Sequence, residues 1–175
     1  MPSVFVSSGF TLLTTLIKFK EDYDANVELA VILPSLVAAF PDRYATMGLR
    51  DLSDEMFDHY KTSGQMHHLQ QAFSSLPVPA MVPADAYRRL VRNEVERVRL
   101  DDAAGRVVAT SVVPYPPGIP MMMPGENTGP ADGPYIGYLR ALRDWDRRFA
   151  GFGHETHGVE VTAGEQYLHC LKQPG

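Results

Sequence analysis

A run of prolines past the middle of the sequence, Pro114-Tyr115-Pro116-Pro117-Gly118-Ile119-Pro120, most limits how this chain can fold. Each proline fixes its backbone φ at about −65° and lacks an N–H donor. The run therefore cannot be helical, and a central strand is disfavoured. Apolar segments flank it, at residues 107–113 and 121–123, which is not typical of a solvated low-complexity linker. We predict a rigid, shaped turn that packs against a core.

The turn ends in a carboxylate, Glu126, that follows Pro124 and Gly125. A carboxylate at the tip of a rigid loop can pair with a cationic substrate, because carboxylate and guanidinium groups bind each other bidentately. The alternative is that Glu126 only braces the loop after it. Tyr115 is predicted to be a buried aromatic that locks the loop, with a direct ligand contact as the lesser alternative. The predicted loop-shaping residues are Pro114, Tyr115, Pro116, Pro117, Gly118, Pro120 and Gly125.

Hydrophobic periodicity predicts a helical first portion followed by a small mixed sheet with flanking helices, an α+β fold. The segment Val4-Phe5-Val6 is expected to end a strand, with a turn at residues 7–9. Pro77, Pro79 and Pro83 mark a linker at residues 74–83, which is the best internal boundary. Helices are predicted at residues 11–23, 26–40 (with a kink at Pro34), 51–61, 65–73, 83–93 and 134–149. Strands are predicted at residues 95–100, 106–113, 158–162 and 165–171, the last two as a hairpin.

Charge and composition exclude several classes of protein. The formal net charge of −5 argues against a nucleic-acid surface and is compatible with attraction of cationic ligands. No apolar run reaches the ~18 residues that a bilayer span needs, so no membrane association is predicted. A basic region typical of a signal peptide is absent from residues 1–10. The single cysteine, Cys170, excludes an internal disulfide framework and suits a reducing compartment.

Other residues with potential chemistry are better explained by structure. His154 and His157 could share a helix face, but a zinc protease needs HExxH on a helix, and these two lie in a Gly-rich stretch. We therefore predict no metal site and expect solvated or hydrogen-bonded histidines, with pH sensing as an open alternative. Trp145 is expected to pack in a core, and Cys170 to be a buried, inert thiol. No catalytic residue is predicted in this chain.

The proline run also carries a family resemblance. The segment from Val112 to Pro120, together with Pro124-Gly125-Glu126, resembles the C-terminal domain of the bacterial ornithine/lysine/arginine decarboxylases. A second matching block most resembles the acid-inducible, biodegradative arginine decarboxylases. It consists of Tyr138-Leu139-Arg140-Ala141-Leu142, Trp145-Asp146, Phe149, Gly151-Phe152 and His154-Glu155-Thr156. Upstream, residues 72–77 and 83–96 match the family as well.

The resemblance implies a part of a pyridoxal-phosphate enzyme of the aspartate-aminotransferase type. It implies a remnant of the preceding small domain at residues 1–10, a helical portion at 11–75 and an α+β C-terminal domain at 76–175. It further implies a cytoplasmic homo-oligomer that converts arginine to agmatine and carbon dioxide and supports acid resistance. Lysine or ornithine as the substrate remains an open alternative.

The family's cofactor lysine follows a Ser-x-His motif, and none of the four lysines here, Lys18, Lys20, Lys61 and Lys172, does so. The isolated chain is therefore expected to be inactive and to bind no pyridoxal phosphate covalently. Its expected part is to complete the fold, support the subunit interface and shape the channel mouth, with Glu126 at the substrate entrance. Its partner would be the missing cofactor domain or a full-length decarboxylase. The alternative is a non-catalytic regulatory or interaction domain that pairs with a full-length enzyme. A self-contained hydrolase is disfavoured because nucleophile motifs are missing.

Overall fold

The computed structural model describes residues 3–115 and 118–173, which form two compact units, Met1–His59 and Tyr60–Gly175. The first helix, α1, spans Ser3–Asp24. The predicted strand end at Val4–Val6 and the turn after it are therefore wrong. A three-residue apolar run does not distinguish a strand from a helix, and here the helical spacing of the following leucines continues upstream through it.

Prolines divide the next part of the first unit into short helices. These are α2 (Leu29–Ile32), α3 (Pro34–Ala39) and α4 (Pro41–Tyr44). The predicted single helix over residues 26–40 is thus interrupted. Pro34 and Pro41 each occupy the first turn of a new helix, where a missing N–H costs nothing.

The next helix, α5, spans Leu49–Thr62. Its first turn meets the Asn26 side chain in a polar junction. The Asn26 side-chain oxygen accepts hydrogen bonds from the backbone N–H groups of Arg50 (3.0 Å) and Asp51 (3.3 Å). Gly48 has no room for a side chain, because an added Cβ would lie 2.1 Å from the Asn26 oxygen. The junction fixes the chain around a small core that includes the fully buried Leu29 and Tyr44.

The α-helices that lie entirely within the described part of the second unit are α6 (Gln65–Ser74), α7 (Pro83–Val91) and α8 (Pro134–Arg148), and a short 3-10 helix spans Leu100–Asp102. The apolar face of α8 lies in the main core, where Ile136, Leu139 and Leu142 are buried. Helix α6 packs against α8, and its Ala72 joins the same core. In the described part of the chain, no helix combines the length and apolar character that crossing a bilayer requires.

The strands of the second unit form two antiparallel sheets rather than one mixed sheet. One has the order β1 (Val95–Arg99), β5 (Glu165–Leu171), β4 (Val159–Thr162), with Val98 opposite Leu168. The other pairs β2 (Val113–Tyr115) with β3 (Glu155–His157). The α+β class and the β4–β5 hairpin are confirmed. The predicted domain boundary at residue 76 stays a prediction.

The predicted strand over residues 106–113 is mostly irregular. Val107 bridges to Asn127, Val108 to Cys170 and Val112 to Met122, so the segment changes partner every few residues. Regular pairing begins only at Val113. Hydrophobic pattern indicates which residues are buried, but a continuous ladder also needs one partner strand throughout.

Candidate functional site

The proline run begins inside β2, in the two-stranded sheet with β3. Pro114 is buried and lies opposite Thr156. A two-stranded sheet accepts proline because each strand is an edge. The Pro114 carbonyl accepts a hydrogen bond from the Gly118 N–H at 3.0 Å, which closes the turn. The predicted loop-shaping residues Pro116 and Pro117 lie outside the described residues.

Tyr115 does not have the predicted burial: 56% of its surface is exposed. Successive residues of a strand point to opposite faces, so the burial of Pro114 turns Tyr115 outward. The tyrosine ring instead covers Gly118, where an added Cβ would lie 3.1 Å from Tyr115 Cδ2. Gly118 also has a φ of +80°, which favours glycine.

The loop is fastened by the methionines after it. The Met121 N–H donates to the Val112 carbonyl at 2.8 Å, and the Val112 N–H donates to the Met122 carbonyl at 2.9 Å. Both methionine side chains are buried in the main core, whereas Pro120 is exposed. The anchor of the loop is thus Met121 and Met122 rather than Tyr115.

Gly125 lies where two segments approach closely. Its carbonyl accepts hydrogen bonds from the Ala80 N–H (2.9 Å) and the Met81 N–H (3.2 Å). With a φ of +91°, an added Cβ would lie 2.5 Å from the Met81 carbonyl oxygen. A larger residue would therefore separate the segment 79–81 from the loop that carries Glu126.

The Glu126 carboxylate is held in place by its own turn. Its Oε2 accepts a hydrogen bond from the Met123 N–H at 2.6 Å, and the Glu126 N–H donates to the Met123 carbonyl at 3.1 Å. The Glu126 backbone also bridges to Pro79. The carboxylate therefore braces the turn before it, residues 123–126, rather than the loop after it, and a carboxylate held this way has little freedom to turn away.

Glu126 also lines a cavity of about 220 Å³ in the second unit. Ser75 contributes to the wall, and the rest of it is apolar. Among the described residues that line the cavity, Glu126 alone carries a charge. The main apolar lining residues are Phe73, Leu76, Ile119, Pro120, Met121 and Met123.

A wider groove of about 560 Å³ shares Phe73 and Ile119 with this cavity. Leu69, Gln70 and Ser74 of α6 complete it. The apolar surface therefore continues from Glu126 along α6. Ile119 is 53% exposed and Leu76 is 93% exposed, so both add apolar surface beside Glu126.

The histidines near the end of α8 have structural surroundings. His154 Nδ1 lies 2.9 Å from Asp146 Oδ1, which also accepts the His154 backbone N–H at 2.8 Å. Trp145 packs on Phe149 with ring centroids 4.6 Å apart, and its Nε1 donates to the Phe152 carbonyl. His157 is mostly exposed near Glu155. Within the described residues, no group of three or more ligating side chains is arranged to hold a metal ion.

Cys170 is fully buried in β5, as expected, and burial raises the pKa of its thiol to about 11. A thiol with this pKa is protonated at neutral pH and is a poor nucleophile.

The lysines do not fit a pyridoxal-phosphate site. Lys18 pairs with Asp22, Lys20 pairs with Asp24, and Lys172 donates to the Asn93 carbonyl. These three and Lys61 are all exposed, and none lines the cavities found among the described residues. A cofactor lysine needs an enclosed site that also holds the ring and the phosphate.

Sequence reasoning identified the carboxylate but missed the walls of its cavity. Phe73 was assigned to a helix and Leu76 to a linker, with no role for either. One signal was available: Leu76, Val78 and Ile119 are large apolar residues next to prolines, in segments where polar residues are usual. The strand β3 was also missed, because residues 154–157 are polar and flanked by glycine.

Comparison with known proteins gives consistent matches. Residues 66–172 match the family model for the Orn/Lys/Arg decarboxylase C-terminal domain. The biodegradative arginine decarboxylase of Escherichia coli is 47% identical over 93% of this chain, and a lysine decarboxylase of Pseudomonas aeruginosa is 41% identical over 93%. This chain spans 22% of the length of each of these two relatives.

Solved structures agree with the sequence matches. The constitutive lysine decarboxylase of Escherichia coli superposes with a TM-score of 0.87 and 32% identity, covering 95% of this chain and 24% of the other. Lysine decarboxylase A from Pseudomonas aeruginosa gives a TM-score of 0.84 and 40% identity, covering 93% of this chain and 22% of the other.

Proposed function

The chain belongs to the Orn/Lys/Arg decarboxylase family, whose C-terminal domain it contains, and on that premise we propose that it serves as the C-terminal part of a longer basic amino acid decarboxylase. Arginine is the proposed substrate. The 47% identity to an arginine decarboxylase, against 41% and 34% to lysine decarboxylases, supports this choice. The proposed enzyme is cytoplasmic and homo-oligomeric, as the resemblance implies.

The proposed enzyme uses pyridoxal phosphate, which supplies an electron sink for decarboxylation when bound. The exposed lysines of this chain do not fit that group, so we assign the cofactor to the part of the longer enzyme outside this sequence. Replacing the carboxylate of arginine by hydrogen consumes one proton. An enzyme of this kind would therefore raise the surrounding pH, which supports a place in acid resistance.

The role of this chain is to complete the enzyme and to form part of the substrate entrance. The observation that carries this proposal is Glu126, a fixed carboxylate in a cavity whose other described lining residues are uncharged and largely apolar. A negative charge at an entrance increases the capture rate of a cationic substrate. The guanidinium of arginine is the natural partner of such a carboxylate.

The test is Glu126→Gln in the longer enzyme, measured as kcat/KM for arginine at low and high ionic strength. Glutamine keeps the shape and can still accept from the Met123 N–H. We expect kcat/KM to fall about tenfold at low salt, the equivalent of one charge-assisted contact of about 1.5 kcal/mol. The loss should shrink as salt screens the charge. Glu28→Gln makes the same change at an exposed carboxylate just before α2 and should have no effect. Unchanged kinetics with a lower melting temperature would assign Glu126 a purely structural role.

A second measurement tests the division of labour between this chain and the cofactor part. The 175-residue chain is mixed with pyridoxal phosphate, treated with borohydride and analysed by mass spectrometry. We expect no stoichiometric adduct on a single lysine and no decarboxylation of arginine. A stoichiometric adduct on one lysine, or decarboxylation of arginine by this chain, would contradict the proposal.

The alternative function is a non-catalytic interaction domain that pairs with a full-length decarboxylase. The exposed apolar side chains on α1 and near Ile119 are compatible with it. The flanking DNA distinguishes the two, since an upstream frame that ends in cofactor-domain sequence favours a split or longer enzyme.

A further inference from the structure

The cavity beside Glu126 has a chemical character that points to one class of ligand. Among the described residues that line it, the one charged group is the Glu126 carboxylate, and most of the others are apolar, with Phe73, Leu76 and Ile119 exposed at the rim. A ligand that suits such a wall carries a positive charge at one end and a hydrocarbon chain behind it. The volume of about 220 Å³ is below the range typical of drug-sized sites, about 300–1,000 Å³, so the ligand is small.

The carboxylate is oriented before any ligand binds. Oε2 of Glu126 accepts the Met123 N–H, and the structure gives no hydrogen bond or ion pair to Oε1 among the described residues. One oxygen therefore holds the side chain in place while the other can accept a hydrogen bond from a ligand. Such preorganisation lowers the entropy lost on binding.

The same lining disfavours a second negative charge. No lysine or arginine is found among the described residues that line the cavity or the adjoining groove, so nothing there pairs with a carboxylate on the ligand. Arginine carries an α-carboxylate, whereas its decarboxylated product, agmatine, carries two cations joined by a four-carbon chain. The groove beyond Ile119 offers Gln70 and Ser74 as polar groups near which the second cation can remain hydrated.

We propose that the cavity formed by Glu126, Phe73, Leu76, Ile119 and Met123 binds linear alkyl amines and guanidines, and that it prefers the amine product of decarboxylation to the amino acid substrate. This inference rests on the proposed function and adds a product-binding site to it. In the longer enzyme, such a site holds product at the entrance and slows the turnover of arginine as agmatine accumulates.

The test uses the 175-residue chain, labelled with ¹⁵N and titrated with agmatine, arginine and methylguanidine. The amide of Met123 reports on the site because it donates directly to the Glu126 carboxylate. We expect its NMR signal to shift and saturate with agmatine. Arginine should bind severalfold more weakly because of its carboxylate, and so should methylguanidine because it lacks the alkyl chain.

Three variants separate specific binding from general attraction. Glu126→Gln should weaken agmatine binding about tenfold, as the loss of one charge-assisted contact requires, while its melting temperature shows whether the fold is kept. Ile119→Ala should reduce the advantage of agmatine over methylguanidine. Glu21→Gln, which removes the same charge from α1, should leave binding unchanged.

An equal loss in Glu126→Gln and Glu21→Gln would overturn the site, as would arginine binding as tightly as agmatine in the wild-type chain. If Glu126→Gln does not fold, the arginine comparison and Ile119→Ala still decide the outcome. The proposed entrance role of Glu126 is tested separately, by kcat/KM for arginine in the longer enzyme. A salt-dependent loss there without agmatine binding here would keep the entrance role and reject the product site.

Discussion

Tyr115 and Pro114 occupy opposite faces of β2. Their burial differs for that reason, and so does their contribution to the free energy of unfolding. Pro114 faces the interior, whereas the Tyr115 ring lies over Gly118 and is more than half exposed. An exposed aromatic loses little burial when it is truncated. The stability of the proline loop therefore depends on the residues that enter the core, Met121 and Met122.

We predict that Tyr115→Ala lowers the free energy of unfolding by about 1 kcal/mol or less, as is usual for surface substitutions. Met122→Ala, at a fully buried position, should cost about 2–5 kcal/mol. Urea unfolding of both variants beside the wild type measures the difference. A larger loss for Tyr115→Ala than for Met122→Ala would show that the aromatic ring anchors the loop after all.

Cys170 gives a prediction for alkaline pH. Burial raises the pKa of its thiol to about 11, so the folded state disfavours the thiolate. The unfolded chain ionises at about pH 8.5, and stability is therefore intact below that pH and is lost as the pH rises toward 11. The loss should be about 3 kcal/mol. Cys170→Ala should remove this part of the pH dependence.

The measurement is the urea midpoint of the wild type and of Cys170→Ala from pH 8 to 11. The readout is how the difference between the two midpoints changes with pH. Native Cys170 should also resist a thiol reagent at pH 8 and react after denaturation. Fast modification of the folded protein would contradict the burial that underlies both expectations.

At the scale of elements, the link between β3 and β4 depends on one glycine. Gly158 has a φ of +84°, and an added Cβ would lie 2.0 Å from the Ser111 carbonyl oxygen, which is fixed backbone. Gly164, in the β4–β5 turn, has a similar φ of +76° but nothing within 4 Å of an added Cβ. A substitution at Gly164 therefore measures backbone strain alone, whereas the same substitution at Gly158 adds a steric clash.

Gly164→Ala should cost about 1 kcal/mol, the cost of a left-handed φ for a residue with a side chain. Gly158→Ala should cost at least about 3 kcal/mol, because strain and the displacement of Ser111 add together. Thermal and urea unfolding compare the variants. Equal losses would mean that residues 111 and 158 separate easily and that the β2–β3 sheet is loosely held.

For the whole molecule, the apolar surface of α1 is the feature that matters. Leu12, Leu13, Leu16, Ile17 and Phe19 are each more than half exposed. Contiguous exposed apolar surface usually marks an interaction site. In the proposed function, this surface is covered in the longer enzyme or by another copy.

We predict that the 175-residue chain self-associates as its concentration rises and binds an apolar dye. The double variant Leu12→Lys/Leu16→Lys should weaken both effects. Thr11→Lys/Thr15→Lys adds the same charge to the same helix without removing apolar surface. It therefore shows how much of the change is caused by the added charge alone. Sedimentation velocity over a concentration range decides the matter. A strictly monomeric wild type that binds no dye would contradict the prediction.

Local sequence determined much of this protein. Proline fixed where helices begin at residues 34, 41, 83 and 134, and apolar spacing located α6, α8 and the β4–β5 hairpin. Both effects act within a few residues, through a missing N–H or through side-chain periodicity. They can therefore be predicted from the sequence without knowing which distant segment packs against them. The motif around Glu126 was distinctive enough to indicate the family for the same reason.

Only the tertiary structure decided which partner each segment found. Tyr115 was turned outward because Pro114 occupied the buried face of β2. Residues 106–112 bridged to two different segments, residues 122–127 and β5, instead of forming one strand. The cavity beside Glu126 joins residues about 50 positions apart, from α6 and from the loop after Pro117. Burial and pairing across such separations depend on the packing of the complete chain, so no local pattern of residues could have specified them.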